Sequence, residues 1–192
     1  LQQLLGYPVI TTGTLLMPRG IGTLIAMAMV GRLVRTVDPR ILLTIGFSLT
    51  AFSLWQMAQF NLNVTARDIV FSGVFQGMGI GLIFVPLTTI SFSTLNPKFR
   101  VESTAVFTLV RNIGSSIGIS GVSTLLVRNS QVSHADLVQN ITPFNHALQS
   151  LAPTASWRLG SAHGLAALNG EINRQAAMIA YLDIFQLMVY GA

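Results

Sequence analysis

Residues 69–97 read IVFSGVFQGMGIGLIFVPLTTISFSTLNP, a run of 29 residues without a charged side chain. As a helix at 1.5 Å per residue it reaches roughly 43 Å, more than the roughly 30 Å hydrocarbon core of a bilayer. It lacks the period-2 alternation that a transmembrane barrel strand needs. The run therefore predicts a membrane-spanning helix with a flank at either end.

Further runs of the same kind lie on both sides. Residues 41–66 are uncharged, residues 12–30 are interrupted only by Arg19, and residues 103–127 only by Arg111. Residues 176–192 carry Asp183 and stop about three residues short of a full crossing. The expected organisation is an all-α integral membrane bundle with spans at about 12–31, 41–61, 68–92 and 103–127. Residues 128–175 form an extracytoplasmic helical loop, and 176–192 begin a fifth, truncated span. Within the loop, Ser133-His134-Ala135-Asp136 reads as a capping box and Thr142-Pro143 as another helix start. No repeat of fixed period and no low-complexity tract occurs.

Composition agrees with a lipid-facing chain. Of 192 residues 51% are apolar and 9% charged, with mean hydropathy +0.62; a soluble domain uses about 25% charged residues to cover its surface. The net charge of +5 comes from arginines scattered between apolar runs, not from a basic stripe, so nucleic acid is not expected as a partner. With no cysteine there is neither a disulfide framework nor a thiolate metal site, and the three histidines have no ligand spacing. No cofactor, metal or catalytic residue is expected. Leu1 is not an initiator methionine and Tyr190-Gly191-Ala192 ends inside an apolar run, which reads as a fragment.

Basic residues in short loops set orientation. Arg32, Arg35, Arg40, Lys98 and Arg100 lie on one side and only Arg67 borders the other, so residues 32–40 and 98–100 are expected in the cytoplasm. Gly73, Gly77 and Gly81 recur every four residues, as do Gly114 and Gly118, a spacing that lets helices approach closely in lipid. Gly114-Ser115-Ser116-Ile117-Gly118 also matches the nucleophile elbow of serine hydrolases, but it lies midway along an apolar helix rather than after a strand. Asn63-Val64-Thr65 and Asn140-Ile141-Thr142 have the form of glycosylation sequons. The informative residues are charges inside spans, each costing roughly 2.5–3.5 kcal/mol near mid-bilayer. Arg19, Arg111 with its neighbour Asn112, and Asp183 are candidates for a substrate or proton pathway. Snorkelling to an interface and structural ion pairing are the alternatives.

In order and spacing, four stretches resemble the major facilitator superfamily, specifically fourteen-span drug:proton antiporters of the EmrB/QacA type. They are Leu16-Met17-Pro18-Arg19-Gly20, Gly31-Arg32-Leu33 leading to Asp38-Pro39-Arg40, Gly77-Met78-Gly79-Ile80-Gly81-Leu82-Ile83-Phe84-Val85-Pro86, and Arg111-Asn112-Ile113-Gly114-Ser115-Ser116-Ile117-Gly118. The resemblance implies the C-terminal half of the family's helical bundle, covering spans ten to fourteen. It implies amphipathic drugs and protons as cargo, the bacterial cytoplasmic membrane as location, a missing N-terminal half and a periplasmic adaptor as partners. In the family's signature cytoplasmic loop Gly31 and Leu33 match, whereas Arg35 replaces the acid and Pro39-Arg40 replaces Gly-Arg, the pattern of a degenerate second-half copy. Gly73 stands where the related fourth-span motif carries an arginine. A membrane-embedded interaction subunit without transport activity is the alternative function, and a membrane hydrolase using Ser116 a more distant one.

Overall fold

The computed structural model describes residues 4, 6–93, 96–139, 141 and 162–191. Among these there is no strand. The described residues give five helices with full bounds: α1 (Val9–Leu33), α2 (Pro39–Met57), α3 (Ala66–Ser93), α4 (Arg100–Gln139) and α5 (Ala162–Gly191), with a short 3-10 turn at Pro97–Phe99 before α4. By length and composition alone, α1, α3 and α4 are long and apolar enough to cross a membrane. The other two differ for simple reasons. α2 is long enough but carries Pro39, Arg40 and Gln56 near its ends, and α5 carries Glu171, Arg174 and Asp183.

Local chemistry explains the joint between α1 and α2. Gly31 and Arg32 belong to the last turn of α1, and Arg35 lies in the turn that follows. Asp38 caps α2, its carboxylate accepting the Arg40 backbone N–H at 2.9 Å, while Pro39 occupies the first helical position. A capping acid followed by proline satisfies one free N–H and needs no second.

α3 is the centre of the bundle, with α1 along one side and α2 along another. Glycines set both distances. A Cβ at Gly77 would overlap the Arg19 carbonyl oxygen and lie 3.0 Å from the Thr23 hydroxyl; one at Gly81 would lie 2.7 Å from the Ala26 Cβ. From the opposite helix, a Cβ at Gly22 would come within 2.7 Å of the Val74 carbonyl oxygen. On α3, Gly79 lies two residues and about 200° around the axis from Gly77. It meets α2 instead, where a Cβ would approach the Gly46 carbonyl oxygen to 2.9 Å. Three glycines spaced by two therefore serve two neighbours.

α2 and α3 are also joined by a hydrogen bond inside the core. Ser53 and Ser72 are both 0% exposed, and the Ser53 hydroxyl donates to the Ser72 carbonyl at 2.8 Å. Beside it, Phe75 stands edge-on to Phe52 and Phe71, with centroids 5.7 and 4.7 Å apart. Most other hydroxyls bond back within their own helix, such as Thr50 to the Gly46 carbonyl at 2.9 Å and Thr104 to the Arg100 carbonyl at 2.7 Å. Local pairing of this kind keeps polar groups satisfied where water is absent.

The second part of the chain corrects several expectations. α4 runs 40 residues, roughly 60 Å, to Gln139 instead of ending near 127. Ser133-His134-Ala135-Asp136 lies inside it and starts no new helix. No Gly or Pro follows Gly121 within α4, and extending a formed helix is easy once it is nucleated. α5 runs 30 residues from Ala162 to Gly191, so its helix begins ahead of the span expected from 176. The expected loop of 128–175 is thus, where described, a continuation of two helices. The His134 ring nitrogen meets the Asn169 amide oxygen at 3.1 Å between them. The expected helix start at Thr142-Pro143 falls outside the described residues.

α5 packs against α4 and α2 and buries Leu168, Ile172, Ala176, Ala180 and Ile184, one residue in every four. Such a row forms a ridge that fits the groove of a neighbouring helix. Among the described residues no helix packs against Gly114 or Gly118. A Cβ at either would meet nothing within 4 Å, and α4 has no buried residue. Small residues permit close approach, and this face of α4 is left open by the described helices.

The close contact at Gly77 makes a quantitative prediction. Gly77→Ala in the intact protein should lower stability by about 1–3 kcal/mol through overpacking. Gly31→Ala, at a position open to solvent, should stay within about 0.5 kcal/mol. Thermal unfolding of the purified protein would compare them, and equal midpoints would refute the contact.

Candidate functional site

A cavity of about 330 Å³ opens between α1, α2, α3 and α5 near the α2–α3 connection. α1 contributes Leu16 and Arg19; α2 and the turn after it contribute Met57, Phe60, Asn61 and Val64. From α3 come Ile69, Gly73 and Gln76, and from α5 Met178, Tyr181 and Phe185. Their spacings of three, four and seven residues place each set on one helix face. The lining is apolar and aromatic, with the side chains of Arg19, Asn61, Gln76 and Tyr181 supplying the polar groups.

The glycine stripe positions Arg19. Its carbonyl rests on Gly77 and its Cβ lies 3.7 Å from where a Cβ of Gly73 would be, so two missing side chains make room for one long one. Thr23 fixes the backbone further by donating its hydroxyl to the Arg19 carbonyl at 3.0 Å. Among the described residues the ion pair present is Arg174 with Glu171, at 3.6 Å, and Arg19 has no carboxylate within reach.

The expected pathway residues are not gathered in one place. Arg19 lines the cavity. Arg111, on α4, instead holds its guanidinium carbon 5.3 Å from the centre of the Phe84 ring on α3. That is cation–π geometry, worth about 0.5–2 kcal/mol depending on solvation. Phe92 and Phe107 meet further along the same seam, with centroids 5.5 Å apart. Asn112 is exposed, and its carbonyl accepts the Ser115 hydroxyl at 2.9 Å. Asp183 is exposed too; it sits two residues from both Tyr181 and Phe185, hence about 200° off the cavity face. A second, wider cavity of about 530 Å³ lies at the α3–α4 junction, lined by Phe92, Phe99, Glu102 and Phe107 among others.

Nothing resembles a hydrolase. The Gly114–Gly118 motif is continuous helix with no strand before it, and no group of three or more His, Cys, Asp or Glu able to hold a metal occurs among the described residues. The sequence reading did not single out Asn61, Tyr181 or the buried Ser53–Ser72 pair. The face shared by Met178, Tyr181 and Phe185 was a usable signal for the second of these. The serine pair had none, since hydroxyls in spanning helices usually bond back locally.

Comparison with known proteins agrees with this architecture. Residues 1–119 match the family description Major Facilitator Superfamily. This chain belongs to the major facilitator superfamily. It is a multi-pass bacterial inner-membrane protein of a transporter family, not an enzyme. This superfamily member is 31% identical over 189 residues to the probable multidrug resistance protein EmrY of Escherichia coli (strain K12), covering 97% of this chain and 37% of that protein. It is 28% identical over 193 residues to the multidrug export protein EmrB of Haemophilus influenzae, covering 100% and 38%. It is 27% identical over 186 residues to the fatty acid resistance protein FarB of Neisseria gonorrhoeae, covering 96% and 37%. The chain thus spans 37–38% of the length of these relatives.

The Arg111–Phe84 contact can be measured directly. A double-mutant cycle of Arg111→Ala and Phe84→Ala in the intact transporter should give a coupling energy of about 0.5–2 kcal/mol in unfolding stability. Arg111→Lys should retain part of it, since charge survives but the planar guanidinium does not. Strict additivity would show that the two side chains do not interact.

Proposed function

We propose that this chain forms part of a proton-coupled multidrug efflux transporter that exports amphipathic compounds across the bacterial inner membrane. The observation that carries this reading is the cavity between α1, α2, α3 and α5, apolar and aromatic with one cation set into its wall. Small-molecule sites are typically concave and mostly apolar, with a few placed polar groups. In a superfamily member such a cavity suits substrates that combine an apolar body with a polar head. Relatives named for multidrug export and for fatty acid resistance point the same way.

Transport of this kind needs two helical halves rocking about a site between them. An N-terminal half is therefore the first partner, with protons as the driving ion and Arg111 and Asp183 as residues bordering the pathway. Residues 32–40 and 98–100 face the cytoplasm in this proposal, and 128–175 the outside. The outward continuations of α4 and α5 then offer a surface for a periplasmic adaptor. Cysteine at position 98 should stay inaccessible to an external impermeant reagent in intact cells; labelling from outside would invert the topology.

The decisive measurement uses the intact transporter in proteoliposomes with a lipophilic fluorescent dye. An imposed proton gradient should drive dye against its concentration gradient, and a protonophore should abolish the effect. Dye flux indifferent to the gradient would reject proton coupling, and no flux would reject the exporter. This chain reconstituted alone should carry none, because access cannot alternate at an interface with one side missing.

A further inference from the structure

We propose that the crevice at the α3–α4 junction is a headgroup site for phosphatidylethanolamine, with Glu102 holding the lipid's primary ammonium among the rings of Phe92, Phe99 and Phe107. The proposal goes beyond the exporter reading and does not depend on the cargo.

Position is the first argument. α3 and α4 are both long and apolar enough to cross a membrane, so the residues joining them lie at a membrane surface. The open crevice of about 530 Å³ sits at that join, and its size is that of an ordinary small-ligand site. Phe99 and Glu102 are exposed, whereas Ser91, Phe92, Ser103 and Phe107 are partly buried, which grades the slot from mouth to floor. The local backbone holds this shape. The Asn96 side-chain oxygen accepts the Lys98 N–H at 3.2 Å, and the Asn96 carbonyl accepts the Phe99 N–H at 3.0 Å. The turn is thereby fixed where Phe99 enters the lining. Across the slot, the Phe92 and Phe107 rings meet with centroids 5.5 Å apart.

Charge is the second argument. Among the described residues Glu102 is the single charged group in the lining, and the ion pair present lies elsewhere, between Arg174 and Glu171. A carboxylate beside aromatic faces favours a cation over an anion. Donor count narrows the cation. A primary ammonium has three N–H donors, and the lining offers the Glu102 carboxylate and the hydroxyl oxygens of Ser91 and Ser103 as acceptors. The Ser91 hydroxyl donates to the Leu87 carbonyl at 2.8 Å, which leaves its oxygen free to accept. A choline headgroup has no N–H to offer these groups. Lys98 and Arg100 stand on either side of Phe99 in the chain and are exposed, available to the phosphate that accompanies the ammonium. A headgroup carrying both signs therefore suits the junction better than a purely anionic one.

Glu102 also lies in the first turn of α4, where a carboxylate suits the helix N-terminus. That role alone would leave lipid choice untouched, so the test reads lipid choice. The purified intact protein is given equimolar phosphatidylethanolamine, phosphatidylcholine and phosphatidylglycerol with identical chains, and retained lipid is counted by native mass spectrometry. Phosphatidylethanolamine should be retained about tenfold over either of the others. Glu102→Gln should remove most of that preference, whereas Glu171→Gln, on α5, should leave it intact. Equal retention of the three lipids by the unaltered protein overturns the proposal, whether or not the variants fold. A preference for phosphatidylglycerol does so too, since it assigns the junction to Lys98 and Arg100. A preference that survives Glu102→Gln leaves Glu102 with its helix-start role only, and the proposal fails. A benzophenone side chain at position 99 reports what fills the slot in membranes, and a phosphatidylethanolamine adduct is expected. Crosslinking only to another segment of the protein, or to a second copy, would show the slot covered and overturn the site.

Discussion

The Arg19 carbonyl resting against Gly77 is the contact on which the arrangement around α3 depends. Lipid offers spanning helices no hydrophobic drive to associate, because tails are as apolar as leucine, so close backbone approach must supply the attraction. Gly77 and Gly81 on α3, with Gly22 on α1, provide that approach on one side. Gly46 and Gly79 provide it on the other. The same contact brings a charged side chain to the mouth of a cavity and holds it there. Packing and site chemistry are thus consequences of one missing Cβ.

Polar groups in this bundle follow a clear division. Hydroxyls on α1, α3 and α4 mostly return their proton to a carbonyl three or four residues back, which costs no tertiary partner. Ser53 is different, donating across to the Ser72 carbonyl in the core and so tying α2 to α3 at one register. The two arginines set within apolar helices are also solved differently. Arg111 takes an aromatic face from the neighbouring helix, whereas Arg19 faces a cavity with no acid in its wall. The difference follows from the surroundings: a phenylalanine on the adjoining seam in one case, glycines in the other.

Much of this was legible in the sequence, for identifiable reasons. Long apolar runs, two uncharged and two broken by a single arginine, located α1 to α4, because a bilayer imposes length and polarity together. The four-residue spacing of Gly73, Gly77 and Gly81 marked a face of α3 before any partner was known. The ends of α4 and α5 were not legible, since hydropathy reports the solvent and not the backbone. Residues 128–139 and 162–175 turn polar without ceasing to be helical. Gly114 and Gly118 show the same limit from the other direction, for spacing permits an approach that none of the described helices makes. Phe84 could not be named as the partner of Arg111 because an aromatic face leaves no charge signature in a sequence. The cavity at Arg19 required four helices to be placed at once.

The length of α4 has a mechanical side. A single unbroken helix of 40 residues behaves as a stiff rod of roughly 60 Å. Near its base it touches α3 through the rings of Phe92 and Phe107. A tilt of about 10° about that base would carry the far end through roughly 10 Å, simply from the length of the rod. The His134–Asn169 contact ties the distal part of α4 to α5, so the two would swing as a pair. One continuous helical backbone thus joins the seam at Phe84 and Arg111 to Gln139 at the far end of α4.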